Sequence, residues 1–544
     1  MDKHRSASSW GAVGRWRSQV AGWTAAASVL VAGAGVSAQE RGSSWLDSGV
    51  KTGGVSAEAD APMGGDDGEE YTPLLGWTFA GMDLSFPLSL AERLETVSSF
   101  PTDRDGTRYT SDPTFNTQLR AGAMFNTNLK LRPVRLVAEF EIDAITGQHA
   151  GGVSDDIDGV FLPDDGETDT ELRKARLQVD IGRHVHLSGG AMTSTWGMGL
   201  LANDGTNTWE PGSAQFIDPR SGDRVLRGLL AVGPFTGQKV MAAFAVDQVI
   251  DDDILQEGDE ATQFVGSVIY GYDMPYGAGA YVVRRNQEAE DGKTIDVTAV
   301  DATVRWKGEV GRGELSLEAE AAYIHGETNL GPTADFPVQD VRQFGAAARA
   351  GLDMGRFGFV LDALFASGDN NADDGVQSGF KADPNYPMGL IVHRYVLAAQ
   401  TARTPINASD PDLVAVPPED LERFPTQGQI TNTIAIFPRA WGRPLDGLEL
   451  YGGPLLAFAE RAPAEPFSSR LQGGEPTSAL GGSTGRYLGT ELDVGVRYRR
   501  LIAGSELTLG LEGGYFAPGN AFENESGDGM GAISAGRAML QYRF

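Results

Sequence analysis

The chain of 544 residues contains no cysteine. Disulfide scaffolds and thiolate zinc sites are thereby excluded, and so is a lipid anchor on an N-terminal cysteine. Positive charge is scarce: 44 basic against 74 acidic side chains give a formal net charge of −30. A chain of that sign repels phosphate backbones, so nucleic acid is not among the expected partners. Mean hydropathy is −0.23, and beyond the N-terminus no apolar run approaches the ~20 residues of a membrane-spanning helix. Histidine is rare, at six. His325 and His393 have no serine or carboxylate partner at a recognisable spacing, and P-loop, GxSxG and HExxH motifs are missing. The expectation is a protein that is not an enzyme and needs no cofactor or metal.

What is present begins with an export signal. Lys3, Arg5, Arg15 and Arg17 precede an apolar stretch from Val20 to Ala34, and Val36-Ser37-Ala38 supplies small residues at −3 and −1. This is the pattern of a signal peptide over residues 1–38, too short in its apolar part for a bilayer anchor. Residues 39–75 are rich in Gly, Ser, Asp and Glu and read as an acidic, flexible periplasmic tail.

From residue 76 to 544 the chain alternates apolar and polar residues with period 2. Val134, Leu136, Ala138, Phe140 and Ile142 oppose Arg135, Glu139, Glu141 and Asp143; Leu315, Leu317, Ala319, Ala321 and Tyr323 oppose Glu314, Ser316, Glu318 and Glu320. A soluble sandwich shows the same alternation, so connection lengths must decide. Strands are expected over 76–86, 114–127, 131–145, 171–182, 184–194, 226–234, 238–249, 261–273, 277–286, 294–307, 313–325, 341–354, 356–367, 429–438, 446–460, 486–500, 505–516 and 531–544. Their connections alternate long and short without exception. An up-and-down meander that closes on itself puts every second connection on one rim, so tight turns and large loops segregate. The predicted fold class is all-β: a closed antiparallel up-and-down transmembrane β-barrel of about 18 strands, with 16 as the alternative. The longest connection, 368–428, is expected on the extracellular side, either folded inward or carrying an extra strand near 389–398.

Aromatic residues near strand ends, namely Trp77, Phe79, Phe86, Tyr270, Tyr272, Tyr281, Trp306, Tyr323, Tyr451, Phe458, Tyr487, Tyr515 and Tyr542, suit interfacial girdles. On the polar faces, the expected pore-lining residues are Arg120, Arg135, Glu139, Glu141, Arg176, Arg305, Glu318, Glu320, Arg349, Glu491, Asp493, Arg497, Arg499 and Arg537. Opposed charges of this kind set ion preference and orient dipolar solutes. They also neutralise one another between neighbouring strands, at ~0.2–1 kcal/mol per pair. His184 and His186 share a face beside a turn and read as a solvated pair before a metal site. Asp369-x-Asn371-x-Asp373 has calcium-loop spacing, but the glycine falls one place late and the bidentate glutamate is missing.

Phe365-Ala366-Ser367-Gly368-Asp369, Thr195-Trp196-Gly197-Met198-Gly199-Leu200, Glu491-x-Asp493 and Gly514-Tyr515-Phe516-Ala517-Pro518-Gly519 resemble segments of alginate-export outer-membrane porins. The whole mature chain resembles the uncharacterised outer-membrane barrels of roughly 500 residues found in myxobacteria. The resemblance implies an 18-stranded barrel passing an anionic polysaccharide or a small polar solute. One departure matters: alginate porins have an arginine-lined pore, whereas the polar faces here carry both signs about equally.

The reading is therefore a porin-like channel for passive diffusion of small hydrophilic or anionic solutes in a Gram-negative outer membrane. The alternative is a closed-lumen barrel acting as adhesin, receptor or assembly protein through its loops. Implied partners are outer-membrane lipid and lipopolysaccharide, the barrel-assembly machinery and small polar solutes. A homotrimer is the expectation for porins in general, with no interface strand standing out.

Overall fold

The computed structural model describes residues 75–543, apart from 80–81, 111–112, 128–133, 147–167, 206–221, 333–334, 372–373, 387, 410–418, 421–422, 474 and 503. The expected signal peptide, the acidic tail and the acidic loop around Asp155 and Asp164 lie outside the described residues.

Eighteen antiparallel strands form one closed wall. They are β1 (Leu88–Val97), β2 (Thr114–Thr127), β3 (Val134–Thr146), β4 (Thr168–Ile181), β5 (Val185–Thr193), β6 (Arg224–Phe235), β7 (Val240–Asp251), β8 (Glu260–Tyr270) and β9 (Tyr276–Glu288). The circuit continues through β10 (Thr294–Val310), β11 (Gly313–Thr328), β12 (Gln339–Asp353), β13 (Phe357–Ala366), β14 (Thr433–Leu445), β15 (Leu448–Ala459), β16 (Tyr487–Ile502), β17 (Ser505–Pro518) and β18 (Ile533–Arg543). Each strand pairs with its sequence neighbour, and β18 pairs with β1 from Arg543↔Ser89 to Ala535↔Val97. No sheet edge is left open among the staves, so every ladder has a partner on both sides.

The first stave departs from expectation. The predicted strand 76–86 is instead a small hairpin, Gly76–Phe79 against Met82–Ser85. Met82–Ser85 runs on along β2, and after the break at Phe86-Pro87 the chain resumes as β1. Pro87 has no N–H to give a ladder, although its carbonyl accepts from Gly122 N–H at 2.9 Å. Alternation in β1 was obscured because Glu92 interrupts the apolar parity; it faces outward, accepting a hydrogen bond from Thr117 Oγ1 at 2.8 Å.

Connections alternate as expected. Turns such as Gly311-Arg312 and Asp446-Gly447 close one rim, and the large loops close the other. The outer surface carries Phe244, Phe264, Val268, Val304, Phe359, Leu492, Leu511 and many other exposed large apolar side chains. Each would gain about 1.5–3 kcal/mol on entering an apolar phase, far more than a water-facing surface tolerates in aggregate. Tyr270, Trp306, Tyr323, Phe458 and Tyr515 lie on this face. Tyr281 and Tyr451, expected in the girdles, are buried on the inner face, where Tyr281 stacks on Trp196 and Tyr451 donates to Glu512. Toward the long-loop rim the outer face turns polar, with the ion pairs Arg284–Asp296 and Arg342–Asp340.

Candidate functional site

The inner face is where chemistry concentrates. All fourteen charged residues expected to line a pore lie on the face opposite the exposed apolar side chains. Most are engaged across the wall. Arg120 grips Asp143 through two bonds of 2.7 Å; Arg176 donates to Glu139 at 2.8 Å; Arg173 lies 2.7 Å from Glu141. Arg135 reaches Asn126 at 3.0 Å and Asp180 at 3.8 Å. Arg349 donates to Asp362 at 2.6 Å, and Arg439 takes that carboxylate's other oxygen. Arg499 and Arg543 share Glu506. Arg537 lies between Glu512 and Glu95, and Arg497 covers the Tyr451 ring at 5.2 Å. Arg305 turns down to the carbonyls of Gly271 and Met274, beside Glu318 across the ladder. These forked, charge-assisted contacts brace the wall from within.

Glu320 and Glu491 do something the sequence did not disclose. Both are buried beneath segments from the long-loop rim that fold into the barrel. The Glu491 carboxylate accepts the N–H groups of Leu390, Ile391 (2.8 Å) and Val392 (2.9 Å). Glu320 accepts those of Met198 and Leu200 (3.3 Å). A left-handed glycine sits at each anchor: Gly197 at φ +57 and Gly389 at φ +76. A Cβ on Gly389 would come within 2.5 Å of Leu455 and 3.2 Å of Glu491, so no larger residue fits that approach. Consecutive backbone N–H groups aimed at one carboxylate make an anion nest, here closed by the protein's own side chain.

The segment between β13 and β14 was expected either to fold inward or to add a strand near 389–398; it folds inward and is helical there. A wide turn over Val392–Leu397 leads into α1 (Ala398–Ser409). Phe380, Ile391, Val392 and Val396 pack against inward residues of β11 through β18, including Ala347, Leu364, Phe437, Leu455 and Phe516. The Tyr395 hydroxyl donates to Glu95, and ion pairs fasten the segment further: Arg394 to Glu95, Arg403 to Asp103, Arg423 to Asp259, and Lys293 to Asp420. A second inward segment after β5 crosses the middle of the barrel. Trp196 donates its indole N–H to Asp301 at 2.8 Å, and Leu200 accepts from Asp383 N–H of the first segment at 2.9 Å. Beside it the inner faces of β6 to β9 carry an apolar patch (Leu229, Ala231, Met241, Val265, Ile269) next to the buried Arg227–Asp247 pair.

Histidine pairing is also corrected. His186 is buried, with Nδ1 2.8 Å from Asp180 and Nε2 3.1 Å from the Gly233 carbonyl, while His184 stacks on Phe235. Both His186 nitrogens are spent on the protein. Asp373 of the calcium-like loop lies outside the described residues, and Asp369 accepts backbone N–H groups of Asn371 and Ser378.

Between the two inward segments and β6 to β12 lies a partly open cavity of about 510 Å³. None of the fourteen residues lines it. Its walls are mainly apolar: Val283, Val297, Ile324, Val341 and Phe424. Its carboxylates include Asp223, Asp253 and Asp383, whose oxygens lie within 4.8 Å of one another. Burial, then the neighbouring Asp383, Asp253 and Asp252, push the Asp223 carboxyl well above the usual range. Burial brings the Lys381 ammonium down to about 8 against the opposing pull of Asp253.

No family model matches the chain, and no curated protein matches it. Among solved structures the chain is similar to the outer membrane protein opdK from Pseudomonas aeruginosa, at 12% identity over 85% of this chain and 99% of that one, with a TM-score of 0.47. It is also similar to OccAB1 from Acinetobacter baumannii (11%, 84% and 96%, 0.47) and to OprD from Pseudomonas aeruginosa (12%, 84% and 95%, 0.45).

Proposed function

We propose that the chain is an outer-membrane channel passing small polar solutes by diffusion, reached through a cleavable signal peptide and inserted by the barrel-assembly machinery among lipid and lipopolysaccharide. The observation that carries this reading is the closed 18-stranded wall with an apolar exterior and a solute-sized cavity at its long-loop end. A lipid-embedded sheet must satisfy every backbone group internally, which closure achieves. The fourteen inward charges would set the field of the passage. Balanced signs and an acidic cavity speak against a polyanion, so the alginate-export resemblance, which rests on short motifs, is carried no further than its barrel.

A second reading has one observation in its favour: the inward segments fill much of the interior with apolar side chains. A sealed barrel displaying its loops as a receptor or adhesin would look the same. Planar-bilayer recording of the purified protein separates the two. Stepwise conductance supports the channel, and silence over many insertions supports the sealed barrel; a shift of reversal potential in a salt gradient then reads the ion preference.

A further inference from the structure

We propose that the cavity between the inward segments and β6 to β12 is a binding site for a small amphiphilic cation, a solute with one ammonium head and an aryl- or alkyl-sized apolar body. The inference deepens the channel reading by naming the solute class, and it rests on that reading only for the claim that the bound solute goes on to cross the membrane.

Size comes first. About 510 Å³ falls within the ~300–1,000 Å³ of small-ligand sites and exceeds what a bare ion needs. The walls come second. Val283, Val297, Ile324, Leu330, Val341 and Phe424 bring apolar side chains to a surface that a water-filled passage would leave polar, and an apolar body packed there is removed from water.

Charge comes third. The lining carries eight carboxylates against three basic groups, and the basic groups are engaged by the protein itself. Arg285 donates to Asp252 at 2.5 Å and to Gln287 at 2.7 Å; Arg423 donates to Asp259 at 2.8 and 2.9 Å; Lys381 donates to the Arg423 and Pro425 carbonyls at 3.0 and 3.4 Å. An anionic head would meet repulsion from the convergent Asp223, Asp253 and Asp383. An ammonium presents three N–H donors, and three carboxylates within 4.8 Å of one another can receive them together. Crowding of like charge around Asp223 gives the same sign, because a cation between these groups relieves it. A hard divalent ion would take the carboxylates but draw nothing from the apolar walls.

The test is calorimetric titration of the full-length protein in detergent with 2-phenylethylammonium, 2-phenylethanol, 3-phenylpropionate, methylammonium and calcium chloride. Binding of 2-phenylethylammonium is expected. The neutral alcohol and the head-only methylammonium should each bind at least about tenfold more weakly, and the carboxylate should give no heat. Asp253→Asn and Asp383→Asn should each weaken 2-phenylethylammonium by about tenfold or more, while Val297→Thr should weaken it without changing methylammonium. Circular dichroism and heat-shifted electrophoretic mobility establish that each variant retains its barrel. Equal affinity for the ammonium and carboxylate probes, or calcium or methylammonium binding as tightly as 2-phenylethylammonium, overturns the proposal. Binding without bilayer conductance keeps the site and sinks the channel, whereas conductance with no binding of 2-phenylethylammonium sinks the site alone.

Discussion

Glu491 shows how one side chain can hold a segment against a wall. Its carboxylate takes three successive backbone N–H groups at full burial. Glu491→Ala should lower unfolding stability in detergent by roughly 3–5 kcal/mol, since buried donors lose a charged partner. Single-channel recordings should become noisier and larger as the segment loosens; an unchanged urea midpoint and unchanged traces would count against an anchoring role. Lys381 governs a separate property. With its folded value at about 8, it carries charge below that pH and loses it above, so the cavity lining gains net negative charge as pH rises. Cation preference, read as reversal potential in a potassium chloride gradient, should therefore increase between about pH 7 and 9. Parity in the sequence was enough to put Glu320 and Glu491 on the inner face. It could not show that they bind loops, because their partners are backbone groups 99 to 122 residues away.

At the scale of elements, the apolar run Leu390–Leu397 carries the ambiguity that periodicity leaves in short sequences. Enclosed by protein along most of its length, it has no solvent-facing polar stripe to betray a helix. Within it His393 is buried, and neither ring nitrogen has a hydrogen-bond partner among the described residues. Burial depresses its imidazole to about 4. The unfolded chain binds this proton near pH 6.5 and the folded chain does not, so stability is retained above that value and falls as pH drops from about 6.5 toward 4. His393→Leu should remove this pH dependence and raise stability by about 1 kcal/mol, as two unsatisfied polar atoms leave the core; a pH-dependent unfolding series on both proteins measures it. The whole segment is also separable. Lys381↔Thr431 and Ala382↔Ile430 pair its two ends as a stem, so residues 384–428 can be exchanged for a short Gly-Ser turn without reaching across the barrel. The excised protein should keep its heat-shifted mobility and conduct severalfold more. Equal conductance would mean that the passage does not run past this segment.

For the whole molecule, strand number and the division of rims were legible because a closed meander forces long and short connections to alternate, and seventeen of the expected staves overlap the observed strands. The filling of the interior was not legible, since inward apolar residues such as Ala231, Met241 and Val265 pack against segments whose path no local pattern records. The proposed function requires that the outside be solvated by lipid over a definite height. The outer face is apolar from Tyr276 and Trp306 up through Val282, Val300 and Tyr323, and it ends at the Arg284–Asp296 pair. An arginine placed on a lipid-facing strand costs ~2–4 kcal/mol at the bilayer midplane and ~0–1 near the interface. Substitutions along the outer face of β10 should trace that profile: Ala302→Arg lowers stability by about 2–4 kcal/mol in phospholipid vesicles, while Thr294→Arg, opposite Glu288 at the polar rim, costs about 1 or less. In a water-facing sheet the two positions, both on the outer face of one strand, would respond alike. Equal costs at 294 and 302 would therefore place this surface in water and remove the membrane from every function argued for the chain.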